Sequence, residues 1–375
     1  MKKFVLIPDS FKGTLSSKQI CNIMKEEINK QFDNAKVVSI PVADGGEGSV
    51  DCFVSALDGK KMLCDVSGPY FDNVSAFFGL IDGGKTAVIE MAAAAGLPMV
   101  ENNKNPLKTT TFGVGQLMLK CADLGVEKII VGLGGSCTND FGCGAACACG
   151  VQFYDCDGKE FIPVGGTLNR VKKIIKDNLD VRLKDIDIIV MCDIDNPPFG
   201  EEGASFVFAP QKGADAQMVK ILDDGVENLC KIVEKDLGLE LKDLSGGGAA
   251  GAMGAGMVAF FDAKLKMGID TVLETVGFDQ IIKDASVIFT GEGKIDSQSL
   301  RGKVVIGVAR KAKEQNVPVI AVVGGADGDM CGAYSQGVSA VFAINRLPQD
   351  FSVSRFNSEI NLKRTMEDIL RLLKI

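Results

Sequence analysis

The chain has 375 residues, which at roughly 150 residues per domain predicts two α/β-sized domains and a substantial core. Lys and Arg number 41 against 49 Asp and Glu, a net charge of −8, and this field repels phosphate backbones and anionic lipid headgroups, which argues against nucleic acid and membrane partners. There is no histidine, which excludes a Ser-His-Asp triad, a His-ligated zinc and an imidazole base, so proton transfer falls to Asp, Glu, Lys, Tyr or Cys.

Twelve Cys behind a start with no secretory pattern predict reduced thiols and a cytoplasmic protein. In chain order, an apolar run at 5–8 leads into DSFKGTLSS and a helix over 17–29, and a run at 37–42 leads into ADGGEG and a helix over 50–57. These are β-loop-α units of a parallel sheet. From 62 to 91 three strand-like runs, MLCDVSG, VSAFFGLID and TAVIEMA, follow one another across short turns, as antiparallel neighbours do. Then come a helix over 114–124, a strand over 128–133 ending in GGSCTND, a small-residue helix up to Gly150, and a strand over 186–191 ending in CDIDNPP. Residues 216–235 place Val219, Leu222, Val226, Leu229 and Val233 at helical spacing. The tight β-loop-α style returns at 287–290 with GEGKIDSQSLRGK and a helix over 304–314, and at 317–323 with GGADGD. Lys and Glu at 25–27 read as a solvated helix face.

Three motif matches are set aside on context. GLIDGGKT at 79–86 fits the Walker A letters, yet TAVIEMA after it is a strand where a P-loop needs a helix, so hairpin chemistry explains it. Gly246, Gly248 and Gly251 fit GxGxxG without a framing βαβ unit, and the stretch 244–261 reads instead as a buried helix packed through small residues. Cys137, Cys143, Cys147 and Cys149 contain no C-x-x-C pair and read as small buried hydrophobes.

What remains is a set of acidic, Gly-rich loops at predicted strand ends: PDSFKG, ADGGEG, GGSCTND, CDIDNP and TGEGKIDSQSLRGK. Together they suit a polyanion and a divalent metal, because Gly admits backbone amides to phosphate oxygens, Ser and Thr add donors, Asp and Glu hold Mg²⁺, and Lys or Arg balances charge. Taken singly, each such loop also reads as a turn or helix cap.

With these loops in this order, and with VIEMAAAAGL, NPLKTTTFGVG, FAPQKGAD, GGGAAGAMGAG and the final KRTMEDILRLLK, nearly the whole chain resembles the bacterial type I glycerate kinases. The resemblance implies ATP-dependent phosphorylation of D-glycerate with Mg²⁺, with 2-phosphoglycerate the favoured product. It also implies an α/β fold of two domains, distinct from P-loop kinases, with catalysis in a cleft between them. The first domain is discontinuous (1–70 and 284–375) and the second, flavodoxin-like, is inserted (71–283). A kinase for another small hydroxy acid and a non-catalytic sugar-acid sensor are the alternatives, and association with further copies of the chain is compatible with each. The family has a small residue where Cys137 stands and Gly where Phe141 stands, so Phe141 is expected to limit how closely its loop approaches a ligand.

On this reading Asp193 is the general base, in the family's Asp-x-x-Asn-Pro pattern with Asn196, since a loose phosphoryl transition state asks more for orientation than for basicity. Lys12, Arg301 and Lys303 are the cations in matched motifs, with Lys12 facing the substrate carboxylate and serving catalysis, and Asp9 and Ser10 completing the substrate side. Glu292, Asp296 and Asp44 are expected at the metal, with Glu47 a further candidate. Gly45, Gly46, Gly291 and Gly293 are expected at the nucleotide, with Gly134, Gly135, Ser136 and Thr138 cradling phosphate at a helix start.

Overall fold

The computed structural model describes the chain apart from residues 44, 47, 297, 298 and 348, and for Arg301 it describes the backbone only. The expected metal residue Asp44, the candidate Glu47 and the side chain of Arg301 therefore lie outside the described residues. Contacts divide the chain into two units, one of 1–44, 55–58 and 267–375, the other of 45–54 and 59–266. Both are α/β.

The first unit carries a five-stranded, all-parallel sheet in the order Val338–Ala343, Val319–Val323, Val287–Gly291, Lys3–Pro8, Lys36–Ser39. Numbered within the unit this is 2-1-3-4-5, the flavodoxin-type order, with its switch point between Lys3–Pro8 and Val287–Gly291. Phe4 and Leu6 on one face of the strand Lys3–Pro8 join Ile20, Met24 and Ile28 of the helix Ser17–Gln31 and Leu362, Met366 and Ile369 of the helix Ser358–Leu372 in one core. Val5 and Ile7 are equally buried, so both faces of this strand are covered, as an apolar run without alternation requires. Ser16 caps the first helix in a capping box with Gln19, which fixes where the loop after Pro8 ends.

The second unit carries a six-stranded mixed sheet in the order Lys264–Lys266, Asp187–Met191, Lys128–Gly132, Thr86–Glu90, Asn73–Ile81, Lys60–Ser67. The first four strands are parallel and the last two antiparallel. The helix Ala216–Leu237 starts at Asp215, whose carboxylate accepts from the amides of Gln217 and Met218 (2.9 and 2.8 Å), and stops at Gly238 in the left-handed region. Its stripe Val226, Leu229 and Val233 enters the same core as Phe141, Phe153 and Phe260.

Several expectations change. The flavodoxin-type order belongs to the discontinuous unit, and the inserted unit is a sequential mixed sheet, because strand order depends on which crossovers run outward and leaves no mark on local periodicity. The expected boundaries at 70/71 and 283/284 differ from the observed division: Lys60–Ser67 pairs along its length with Asn73–Ile81, and the helix Gly268–Thr275 packs on Val304–Glu314 through Ile269 under Gly307. Glu27 is not solvated; it is buried and ion-paired to Lys30 at 2.6 Å. The Walker-like residues 82–84 form the turn between antiparallel strands, with Asp82, Gly83 and Gly84 all at positive φ. The helix in the small-residue stretch spans Ala249–Phe261, and a Cβ on Gly256 would lie 1.8 Å from the carbonyl oxygen of Phe141. Among the described residues no helix is long and apolar enough to cross a membrane.

Candidate active site

In the first unit the loops PDSFKG and TGEGKID leave the carboxyl ends of the two strands that flank the switch point, where open α/β sheets bind ligands. Pro8 pairs with Gly291, and the Asp9 amide donates to the Gly291 carbonyl at 2.8 Å. Asp9 and Glu292 are both buried, and Asp9 Oδ1 accepts from the Ser10 amide at 2.6 Å. Burial first, then the negative charges of Asp9 and Asp296, push the Glu292 carboxyl up to about 7, against the pull of a Ser299 hydrogen bond and the Lys303 ammonium. Glu292 Oε1 has no hydrogen-bond partner among the described residues. A Cβ on Gly293 would come within 3.3 Å of the Lys12 amide nitrogen, so the two loops touch there, while Lys12 itself is exposed. Asp296 is half-buried, with Oδ1 accepting from the Ser299 amide at 3.3 Å and the Lys294 ammonium 4.0 Å away. Lys303 immediately precedes the helix Val304–Glu314, whose N-terminus faces the same sheet edge because the helix returns to a parallel strand.

Asp9, Ser10, Lys12, Glu292, Gly293, Asp296 and Lys303 therefore gather at one sheet edge. An orphaned buried carboxylate oxygen with two further carboxylates in electrostatic reach fits a divalent cation, which commonly takes one or two carboxylates and completes its shell with phosphate and water. No preformed cluster of three or more such ligands exists among the described residues. Gly291 needs no ligand to explain it, since a Cβ there would fall 2.0 Å from the Val322 carbonyl oxygen.

In the second unit GGSCTND and CDIDNP follow the neighbouring strands Lys128–Gly132 and Asp187–Met191. The Gly134 amide donates to the Gly45 carbonyl at 3.0 Å, and a Cβ on Gly134 would lie 2.4 Å from Gly46 Cα, so close backbone packing accounts for the glycine at 134. Gly135 sits at φ +76° with its carbonyl accepting from the Leu97 amide. The expected helix start at Ser136 and Thr138 is not there: the helix is Cys143–Ala148, and its N-cap Gly142 lies four residues beyond Thr138. Phe141 is fully buried at φ +58° with its ring 6.0 Å from that of Phe260, so its side chain packs into the unit's core. Asp193 is half-buried just past its strand. The Asn196 side-chain amide donates to the Glu202 carbonyl at 2.7 Å and its backbone carbonyl accepts from Gly248, so it closes its own loop and keeps Oδ1 and its second N–H for other partners.

A family model described as "Glycerate kinase family" matches residues 4–374. The chain belongs to the glycerate kinase family. A glycerate kinase of Haemophilus influenzae is 44% identical over 372 residues, covering 99% of this chain and 98% of that one. A glycerate 2-kinase of Escherichia coli K12 is 43% identical over 343 residues, covering 91% and 90%. A crystal structure from Salmonella typhimurium LT2, assigned as glycerate kinase 2, superposes with TM-score 0.88 at 39% identity, covering 100% of this chain and 98% of that one.

Within this member of the glycerate kinase family, three buried charged residues that the sequence reading passed over build the second unit's loops. Glu90 Oε1 accepts from the Val50 amide at 2.7 Å and, buried, has its carboxyl pushed up mainly by desolvation. Asp140 accepts from Thr111 N and Oγ1 (2.8 and 2.9 Å), Gly142 N (3.2 Å) and Gly144 N (3.3 Å). The fully buried Lys212 donates to Ser136 Oγ at 2.8 Å and to the Thr138 carbonyl at 2.7 Å. Each lies inside a motif shared with the family, and that was the only signal in the sequence that could have found them.

Proposed function

We propose that this chain transfers the terminal phosphoryl group of ATP to the 2-hydroxyl of D-glycerate with Mg²⁺. The reading rests on one observation above the family membership: Asp9 and Glu292 stand side by side at the switch point, with Glu292 Oε1 unsatisfied and Lys303 in reach. Glu292 and Asp296 are the proposed magnesium residues, and a bound Mg²⁺ would supply charge neutralisation on phosphoryl oxygens. Lys12 and Lys303 balance substrate and phosphate charge from the same edge. Asp193 takes the hydroxyl proton as it leaves the attacking oxygen, a modest demand on a carboxylate in a loose transition state. Ser10 and Asn196 Oδ1 orient the small acid, and Gly293 lets the loop backbone come close.

The test is ADP release from ATP and Mg²⁺ with D-glycerate, with phosphorus NMR of the product. Glycerate-dependent ADP release with 2-phosphoglycerate as product is the expected result. Preferred turnover of another hydroxy acid, a 3-phosphorylated product, or glycerate binding without nucleotide affinity would each overturn the corresponding part of the proposal.

A further inference from the structure

We infer that Lys212 is a positioning residue for an oxyanion, turning the Ser136 hydroxyl into a donor and holding an unneutralised positive charge beneath it. The inference rests on the kinase reading for the identity of the oxyanion, either a nucleotide phosphate or the substrate carboxylate, and on geometry for everything else. An ammonium can only donate, so at 2.8 Å from Lys212 Nζ the Ser136 oxygen is the acceptor and its own proton remains for another group. No acceptor among the described residues takes that proton, and Thr138 Oγ1, fully buried on the same short loop, has no partner among them either. Such groups are nearly always satisfied, here by something the protein does not itself supply.

The charge points the same way. Asp140, the carboxylate that acts electrostatically on Lys212, spends its oxygens on four other donors, and no carboxylate among the described residues lies within ion-pair distance of the ammonium. Burial lowers the amine to about 8, opposed by Cys137 and Asp140, as expected for a cation lacking a counter-charge. An oxyanion accepting from Ser136 would satisfy the idle proton and supply that charge. A lysine serving only to staple the loop would need neither.

Calorimetry on the full chain with ATP, tripolyphosphate and D-glycerate as separate probes reads this directly. Ser136→Ala and Lys212→Met are each expected to weaken one probe class, polyphosphate or glycerate, by roughly tenfold or more while leaving the other within about twofold. The double variant should be no weaker than Lys212→Met, because the two act as one unit. Equal weakening of both classes would mark a loop staple and overturn the inference, as would unchanged binding of both. If Lys212→Met does not fold, Ser136→Ala decides alone. Absence of turnover in the wild-type chain would sink the proposed kinase activity while these binding measurements still judge Lys212; a wild type that binds none of the probes would sink the inference itself.

Discussion

The Asp9 amide donates to the Gly291 carbonyl at 2.8 Å, so the carboxylates of Asp9 and Glu292 leave adjacent parallel strands at one level. Burial is the main cost to the Glu292 carboxylate, and repulsion from Asp9 adds to it. Glu292 is a destabilising residue in the absence of a cation.

Its pH signature follows. Glu292 titrates at about 7 in the fold against an ordinary 4.5, so between those values the folded chain holds a proton the unfolded chain lacks. Stability therefore falls as pH rises through that window, by about 3 kcal/mol, and is level above it. Glu292→Gln should raise Tm at pH 8 in EDTA and flatten the decline, and with Mg²⁺ present it should abolish turnover. Magnesium should raise the wild-type Tm more at pH 8 than at pH 5. A variant no more stable than the wild type at pH 8 would remove the cost assigned to Glu292.

Asp193→Asn should lower kcat by about 10²- to 10⁴-fold and leave the affinities for ATP and glycerate near wild type, because a general base acts in the transition state. Near-normal kcat at neutral pH would take Asp193 out of that role.

Lys85, last but one in the Walker-like string, lies beside a hairpin turn and pairs with Glu127 at 3.1 Å, both half or more exposed. Lys85→Ala should leave ATP affinity and kcat within about twofold of wild type and Tm within a degree or two, the usual effect of losing a surface pair. A large loss of ATP binding would reopen the P-loop reading.

Asp140→Asn presents an amide to donors that faced a carboxylate, so at least one buried N–H loses its acceptor. The expected loss is about 2 to 4 kcal/mol in urea unfolding. Retained stability would show that the loop rearranges around the amide.

Gly256→Ala drives a methyl into the Phe141 carbonyl at 1.8 Å and should prevent accumulation of folded protein, whereas Gly277→Ala, at φ +65° with open space around it, should cost only about 1 kcal/mol. Yields and urea midpoints separate the two; similar outcomes would contradict the packing described for the helix Ala249–Phe261.

Periodicity carried much of this fold. The helix over 304–314 and the three antiparallel runs at 62–91 stand where the sequence places them, because a single amphipathic or alternating segment encodes each. Strand order was hidden, since Lys3–Pro8 and Val287–Gly291 become neighbours through crossovers that no window of residues records. The site divides similarly. PDSFKG and TGEGKID announced themselves by composition, but that a Cβ at Gly134 or Gly291 would strike neighbouring backbone, and that Phe141 turns into the core at a positive φ, is invisible in the letters. Lys212 was missed because a lone lysine after Ala-Pro-Gln reads as surface, and only its oxygen partners reveal otherwise.

The strand Lys3–Pro8, one in from the edge of the five-stranded sheet, is among the first segments made, and its partner at the switch point is separated from it by 283 residues. At ribosomal rates of about 5 to 20 residues per second, Val5, Leu6 and Ile7 wait roughly a quarter of a minute to a minute with one short strand, Lys36–Ser39, for company. All of 59–266 is synthesised in that interval, so during translation the inserted unit has its whole sequence while the switch-point edge does not yet exist. Newborn chains thus pass through a stage with a sticky, half-built ribbon, the stage at which chaperone capture or aggregation would decide yield.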